Sequence, residues 1–335
     1  MRIDETTAVL GAGSWGTALA LLLAKNAGGG LRLWDRTPAL IADLSSARVN
    51  ARYLPGFPLP APILPVTDIA QALKGAATVV IAVPSSAVRE VLRLAAPHLI
   101  AGTDVVLAAK GMEADTGLLP SEVAAEISGN RILSFVALSG PNLAVEVARG
   151  IPTAAVAACP DREAAARVRD RFSRSAFRVY TSADRVGVEI GGAVKNVLAI
   201  AGGVSDGLGF GDNTKAALLT RGLAEMARFG AASGARPETF YGLAGVGDLM
   251  ATASSRLSRN WRVGEGLAQG KSVEQILARL GQVAEGITTA RAVTAKAARM
   301  GVEMPVCAAV ARLLFEGASP TEEVAALMAR APREE

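Results

Sequence analysis

The side chains best placed for chemistry in this chain are two lysines, an aspartate and a Ser-Arg-Asn triplet. Lys110 falls between an apolar run ending at Ala109 and Gly111, a poor place for a merely solvated lysine, although a surface loop would also accommodate it. Lys195 sits in the apolar stretch Gly192-Ala193-Val194-Lys195-Asn196-Val197-Leu198, so it either snorkels to the surface or meets a partner inside a site. Asp248 closes the glycine-rich stretch 242–248 and is expected to be exposed to whatever lies nearby. Ser258-Arg259-Asn260 opens a helix, where a hydroxyl, a guanidinium, an amide and free N–H groups can converge on a phosphate; an ordinary helix start reads the same way. Only one histidine is present, His98, in Ala-Pro-His-Leu after a helical stretch. A histidine-based acid/base pair and a zinc site of the usual His/Cys kind therefore have almost no material here, and no metal is expected.

The elements that must position these groups begin with Gly11-x-Gly13-x-x-Gly16, between the apolar run Ala8–Leu10 and an apolar helix. Gly11 permits a tight turn, Gly13 leaves room for a pyrophosphate, and Gly16 lets the helix pack on the sheet with its N-terminus towards the phosphates. Glycines at this spacing also occur in other turns, but the flanking strand and helix supply the context that dinucleotide binding requires. Residues 27–30 read as a turn, and Leu31–Trp34 as a second strand ending in Asp35-Arg36. Asp35 lies about 20 residues beyond the last glycine, where a carboxylate accepts from the ribose hydroxyls and disfavours a 2′-phosphate. Arg36 could instead stack on adenine or pair with that phosphate, so both NAD and NADP remain open.

Further short apolar runs at 78–82, 104–108, 135–138, 153–157 and 178–181 read as strands of a mostly parallel sheet, with a charged helix over 161–173. The five prolines between Tyr53 and Pro65 exclude regular structure there and mark a surface excursion. Ligands of such a sheet bind at the carboxyl ends of its strands, which draws attention to Ser14, Trp15, Pro84, Lys110, Gly140 and Asn142. From about Asp184 only helical periodicity remains, with the loop 207–213 between helices and with Pro305 and Pro320 opening the last two. The expected division is a Rossmann-type domain over 1–183 and an all-α substrate domain over 184–335, and the tail 331–335 is expected to fray. Cys159 and Cys307 are far apart among small or apolar residues and read as buried free thiols. No apolar run reaches membrane-spanning length, and residues 1–5 leave no room for a signal peptide, so a cytoplasmic protein is expected. The net charge of +4, spread along the chain, suits small anionic ligands better than nucleic acid.

These motifs in this order resemble the NAD(P)-dependent glycerol-3-phosphate dehydrogenases of the soluble bacterial type. The resemblance runs from the first strand to about residue 316. It is carried by Gly-Ala-Gly-Ser-Trp-Gly-Thr-Ala-Leu-Ala at 11–20, Lys110-Gly111, Ser139-Gly140-Pro141, 191–196, Arg221-Gly222-Leu223-Ala224-Glu225-Met226, 245–249, Ser258-Arg259-Asn260, 281–286 and 301–305. It implies reversible hydride transfer between NAD(P)H and dihydroxyacetone phosphate, giving sn-glycerol 3-phosphate for glycerophospholipid synthesis, in a homodimer. It further implies that Gly11, Gly13, Ser14, Trp15 and Gly16 contact the cofactor diphosphate and Arg36 its adenosine end. Lys110 would touch substrate and cofactor, Gly140 and Asn142 the substrate, and Ala144 the nicotinamide side. Lys195 would be the acid/base, its pKa lowered by Lys110 and raised by Asp248. Asp248, Ser258, Arg259 and Asn260 would hold the glycerol and its phosphate, Arg259 also reaching the cofactor, and Val283 and Glu285 would close over the cofactor. Two departures stand out: Asn142-Leu143 replaces a hydroxyl residue followed by Phe, and Asp35 replaces a small residue.

Two other readings compete. A 3-hydroxyacid dehydrogenase or ketopantoate reductase of the same architecture also carries a lysine on the corresponding helix, but Lys110-Gly111 and Ser258-Arg259-Asn260 suit a phosphorylated substrate. A non-catalytic dinucleotide sensor would be expected to have lost Lys195, Lys110 or Asp248, and all three are present.

Overall fold

The computed structural model describes residues 6–25, 30–129 and 133–331. The readings for residues 1–5, for the turn at 27–29 and for the tail at 332–335 lie outside the described residues. The chain divides into two compact units, one comprising Met1–Ala109 with Leu119–Glu189, the other Lys110–Leu118 with Ile190–Glu335.

The first unit is built on an eight-stranded sheet. Its strands are β1 (Thr6–Leu10), β2 (Leu31–Trp34), β5 (Ile63–Val66), β6 (Ala76–Ile81), β7 (Asp104–Leu107), β8 (Ser134–Ser139), β9 (Thr153–Ala158) and β10 (Phe177–Ser182). A separate two-stranded ribbon pairs β3 (Val49–Asn50) with β4 (Leu54–Pro58). The order across the sheet is β10-β9-β8-β7-β6-β1-β2-β5. Every pairing is parallel except β8 with β9. Six of these strands, β5-β2-β1-β6-β7-β8, reproduce the doubly wound nucleotide-binding order, whose direction reverses between β1 and β6. Central strands such as β1 and β7 are buried along nearly their whole length, as apolar strands covered on both faces must be.

The proline-rich segment corrects the sequence reading. It holds β4 and β5, and β5 is the strand that completes the doubly wound order. Pro65 is tolerated because β5 lies at the edge of the sheet, paired only with β2 through Leu33–Pro65 and its neighbours. A residue without an N–H costs least where one side of the strand has no ladder to join.

Helices assemble the second unit. The helix Arg185–Gly207 is its central element from Ile190 onwards; it starts six residues before the expected glycines at 191–192, capped through Asp184, whose carboxylate accepts from Gly187 N–H. It is long and apolar enough to cross a membrane, yet 94% of its apolar window is buried inside the protein, as a core helix is. Around it lie Asp212–Ala232, Asp248–Ala253, Arg259–Ala268, Val273–Leu280, Glu285–Arg299, Pro305–Phe315 and Pro320–Met328. Pro305 and Pro320 stand at the first turn of the last two, as proline's fixed φ favours. Glu225, buried on Asp212–Ala232, accepts from the N–H groups of Val306 (2.7 Å) and Cys307 (3.2 Å) and so caps the helix that Pro305 opens. Cys159 and Cys307 are buried free thiols.

Candidate active site

In the first unit the glycine motif forms the expected strand-turn-helix. Gly11 takes φ +110°, a conformation that side chains disfavour, and a Cβ there would lie 2.8 Å from the Ala82 carbonyl oxygen. A Cβ on Gly16 would come within 1.9 Å of the Gly11 oxygen, so the helix Ser14–Ala24 can start this close to the loop only with glycine. A Cβ on Gly13 would meet nothing within 4 Å, which leaves open space beside the loop. Gly13 caps the helix without a side-chain hydrogen bond, and the buried Trp15 Nε1 has no partner among the described residues. Open space, an uncapped helix N-terminus and an orphaned indole N–H fit a dinucleotide's phosphates. Asn50, which sequence reasoning did not single out, braces the loop by donating to Ala12 O (2.8 Å) and Thr17 Oγ1 (2.8 Å). Ser14 donates to Tyr53 O at 2.6 Å.

Asp35 follows β2 and is half-buried; its Oδ2 accepts from Ala12 N–H (3.1 Å) and its Oδ1 from Thr37 N–H (3.0 Å). Arg36 is exposed and pairs with Glu90 at 3.0 Å. At the carboxyl end of β8, Gly140 takes φ +132° and Asn142 donates to Ala154 O at 3.0 Å, leaving its buried Oδ1 without a partner among the described residues. Ala144 opens the short helix Ala144–Arg149 and is half-buried.

The charged groups gather in the second unit. Gly191 sits where a Cβ would lie 2.5 Å from Ala244 O, so the central helix presses directly on the π-helical turn Leu243–Gly247. Four residues further along each element come Lys195 and Asp248, and they meet: Lys195 Nζ donates to Asp248 Oδ1 at 2.9 Å. Asp248 is 1% exposed, not open as the sequence suggested, because that turn folds it inward as the first residue of Asp248–Ala253. Its Oδ2 accepts from Lys110 Nζ at 2.8 Å. Thr252, one turn after Asp248, accepts from Lys195 Nζ (2.7 Å) and donates to Asp248 Oδ1 (3.1 Å). One carboxylate thus holds two ammonium groups in a dry setting.

Burial pushes the Lys195 pKa down to about 8; Asp248 opposes this and Lys110 reinforces it. The two ammonium groups hold the Asp248 carboxyl below its usual range in spite of its burial. Asn196, beside Lys195, donates to Lys110 O (2.7 Å) and accepts from Asn260 Nδ2 (2.7 Å), while Asn260 Oδ1 accepts from Gly286 N–H (3.0 Å). This amide chain ties Lys110, the central helix and the start of Arg259–Ala268 to Glu285–Arg299. Ser258 caps Arg259–Ala268 by accepting from Trp261 N–H at 3.2 Å. Arg259 is half-buried with no hydrogen bond or salt bridge among the described residues; burial lowers its pKa and only the charge of Glu285 opposes that. Val283 is exposed. Thr252 and Asn196 were not singled out from sequence, although Thr252 follows Asp248 by one turn and Asn196 adjoins Lys195.

The comparisons with known proteins agree over nearly the whole chain. The family described as NAD-dependent glycerol-3-phosphate dehydrogenase N-terminus matches residues 6–165, and its C-terminus counterpart matches 184–325. The chain belongs to the NAD-dependent glycerol-3-phosphate dehydrogenase family. It is an oxidoreductase that uses NAD or NADP. Glycerol-3-phosphate dehydrogenase [NAD(P)+] from Anaeromyxobacter dehalogenans is 51% identical over 98% of this chain and 98% of its own length. The protein of that name from Geobacillus kaustophilus is 49% identical over 99% of this chain and 96% of its own. Among solved structures, glycerol-3-phosphate dehydrogenase from Coxiella burnetii superposes with a TM-score of 0.94 at 39% identity, over 98% of this chain and 100% of that one.

Proposed function

We propose that the chain reduces dihydroxyacetone phosphate reversibly to sn-glycerol 3-phosphate, with Lys195 as the acid/base. The observation that carries the reading is the buried Lys195–Asp248–Lys110 group, with the Arg259 guanidinium, unpaired among the described residues, in the same unit. The first unit holds the dinucleotide through Gly11, Gly13, Ser14, Trp15 and Gly16, and the second holds the substrate and the proton donor. When bound, NADH or NADPH supplies the hydride. The chain's own groups handle charge and proton. Reduction of a ketone leaves a developing alkoxide, and the Lys195 ammonium donates a proton to it. Nζ has three donor hydrogens; Asp248 and Thr252 take two, leaving one for a substrate oxygen. In the oxidative direction neutral Lys195 accepts the proton, and a pKa of about 8 lets one side chain serve both directions near neutrality. Asp248 fixes the lysine, while Lys110 and Arg259 balance the phosphate dianion, with Ser258 and Asn260 at the same helix start. The family resemblance assigns Gly140 and Asn142 to the substrate, and Ala144, Arg36, Val283 and Glu285 to the cofactor.

A cytoplasmic homodimer accompanies this reading; the two buried free thiols support a reducing compartment, and sedimentation velocity tests the dimer. The test of the function is initial-rate reduction of dihydroxyacetone phosphate with NADH and with NADPH, for the parent and for Lys195→Ala. The parent turns over; the variant loses about 10²- to 10⁴-fold in kcat and keeps its affinity for the dinucleotide. Substantial retained turnover would remove Lys195 from the chemistry.

A further inference from the structure

The structure assigns the choice between the two dinucleotides to Asp35, assisted by Glu90, and makes this chain selective for NADH over NADPH; the assignment rests on the dinucleotide-binding reading above. Asp35 stands at the carboxyl end of β2, where the adenosine ribose lies in a sheet of this order. Its carboxylate is fixed from both sides, Oδ2 by Ala12 N–H of the glycine loop and Oδ1 by Thr37 N–H. A carboxylate offers about four acceptor positions, so each oxygen keeps one lone pair. That pair of acceptors suits the two neighbouring hydroxyls of an unphosphorylated ribose.

The same fixation penalises a 2′-phosphate. Held by two backbone N–H groups, the carboxylate cannot swing away from an approaching dianion, and like charges in contact are strongly unfavourable. Arg36, the adjacent cation, would offset this if its charge were free. Instead its guanidinium donates to Glu90 Oε2 at 3.0 Å, from the helix Val88–Ala95. Both partners are exposed, so the pair biases Arg36 without locking it. Glu90 also adds a second negative charge beside Arg36.

The experiment measures dissociation constants of NADH and NADPH for the full-length protein without substrate, by titration calorimetry. NADPH should bind about 30-fold more weakly or worse. Raising ionic strength from about 20 mM to about 300 mM should shrink that ratio, because repulsion is screened. Equal affinities, tighter NADPH, or a ratio that grows with salt would show the phosphate captured by a cation and overturn the assignment. Asp35→Ser should tighten NADPH about tenfold or more, and Glu90→Gln about two- to fivefold with NADH little changed. NADPH affinity unmoved by Asp35→Ser would also overturn it; should that variant not fold, the salt dependence of the parent decides. Reduction of dihydroxyacetone phosphate is assayed separately. Selective NADH binding without that turnover would sink the proposed reaction and leave the selectivity standing, and turnover with equal affinities would do the reverse.

Discussion

Lys195 answers two opposing demands with one pKa. Asp248 favours its charged form, whereas burial and Lys110 favour the neutral one, and the balance falls at about 8. In the proposed reaction the ammonium is the acid for reduction, so kcat/KM for dihydroxyacetone phosphate should fall as pH rises through about 8. Oxidation of glycerol 3-phosphate should rise across the same interval, and parallel profiles in the two directions would contradict the assignment. Thr252 accepts from Nζ and so stabilises the charged form. Thr252→Val should therefore move both limbs to lower pH while leaving substrate KM within a few-fold; unmoved limbs would reduce Thr252 to packing. Arg259 has no hydrogen-bond or salt-bridge partner among the described residues, and Arg259→Ala should raise KM for the phosphorylated substrate about ten- to a hundredfold. Lys110 and Lys195 stand out in the sequence because charge among apolar or glycine neighbours is costly without a purpose, and Arg259 because Ser258-Arg259-Asn260 opens a helix. The burial of Asp248 is not legible there, because it depends on a π-helical turn that no local pattern announces.

Among the elements, what places the chemistry is backbone contact at glycines of the central helix. Gly203 sits where a Cβ would lie 2.0 Å from Trp261 O, and a Cβ on Gly264 would lie 1.9 Å from Ile200 O. The central helix and Arg259–Ala268 therefore meet with almost no side chain between them, which fixes the helix start that carries Arg259. Alanine is the better helix former by about 1 kcal/mol, but overpacking at such a contact costs about 1–3 kcal/mol or more. Gly264→Ala should lower the melting temperature and raise substrate KM together. Gly266 is the internal control: a Cβ there meets only the flexible Ile276 side chain, at 2.7 Å, so Gly266→Ala should cost less. Similar losses at both would remove the special role of the crossing. Strand and helix periods were plain in the sequence wherever apolar runs were short and bounded by turns. β5 was hidden because proline content argues against a strand, and only its edge position makes Pro65 admissible.

At the scale of the molecule, the sequence shows a change from strands to helices near residue 184 but not that residues 110–118 pack with the helical unit. That placement rests on tertiary bonds, from Asn196 to Lys110 O and from Lys296 to Gly117 O, which leave no periodic mark. Stability of the whole chain should carry the signature of a second buried group outside the chemistry. Glu189 is 6% exposed and accepts from both the N–H and the hydroxyl of Ser121, at the first turn of Pro120–Ser128. Burial outweighs those bonds and the charge of Arg185, and raises its pKa from 4.5 to about 7. Between those values the folded protein retains a proton that the unfolded chain has released, so stability declines as pH rises from about 4.5 to about 7 and the penalty stays above that. Glutamine keeps an acceptor for Ser121 and never ionises. Glu189→Gln should therefore melt higher than the parent at pH 8, by about 1–3 kcal/mol of stability, with the advantage vanishing towards pH 5. A difference between the two proteins that stays constant from pH 5 to pH 8 would mean that Glu189 does not titrate in this range, and that Ser121 and Arg185 hold it ionised throughout.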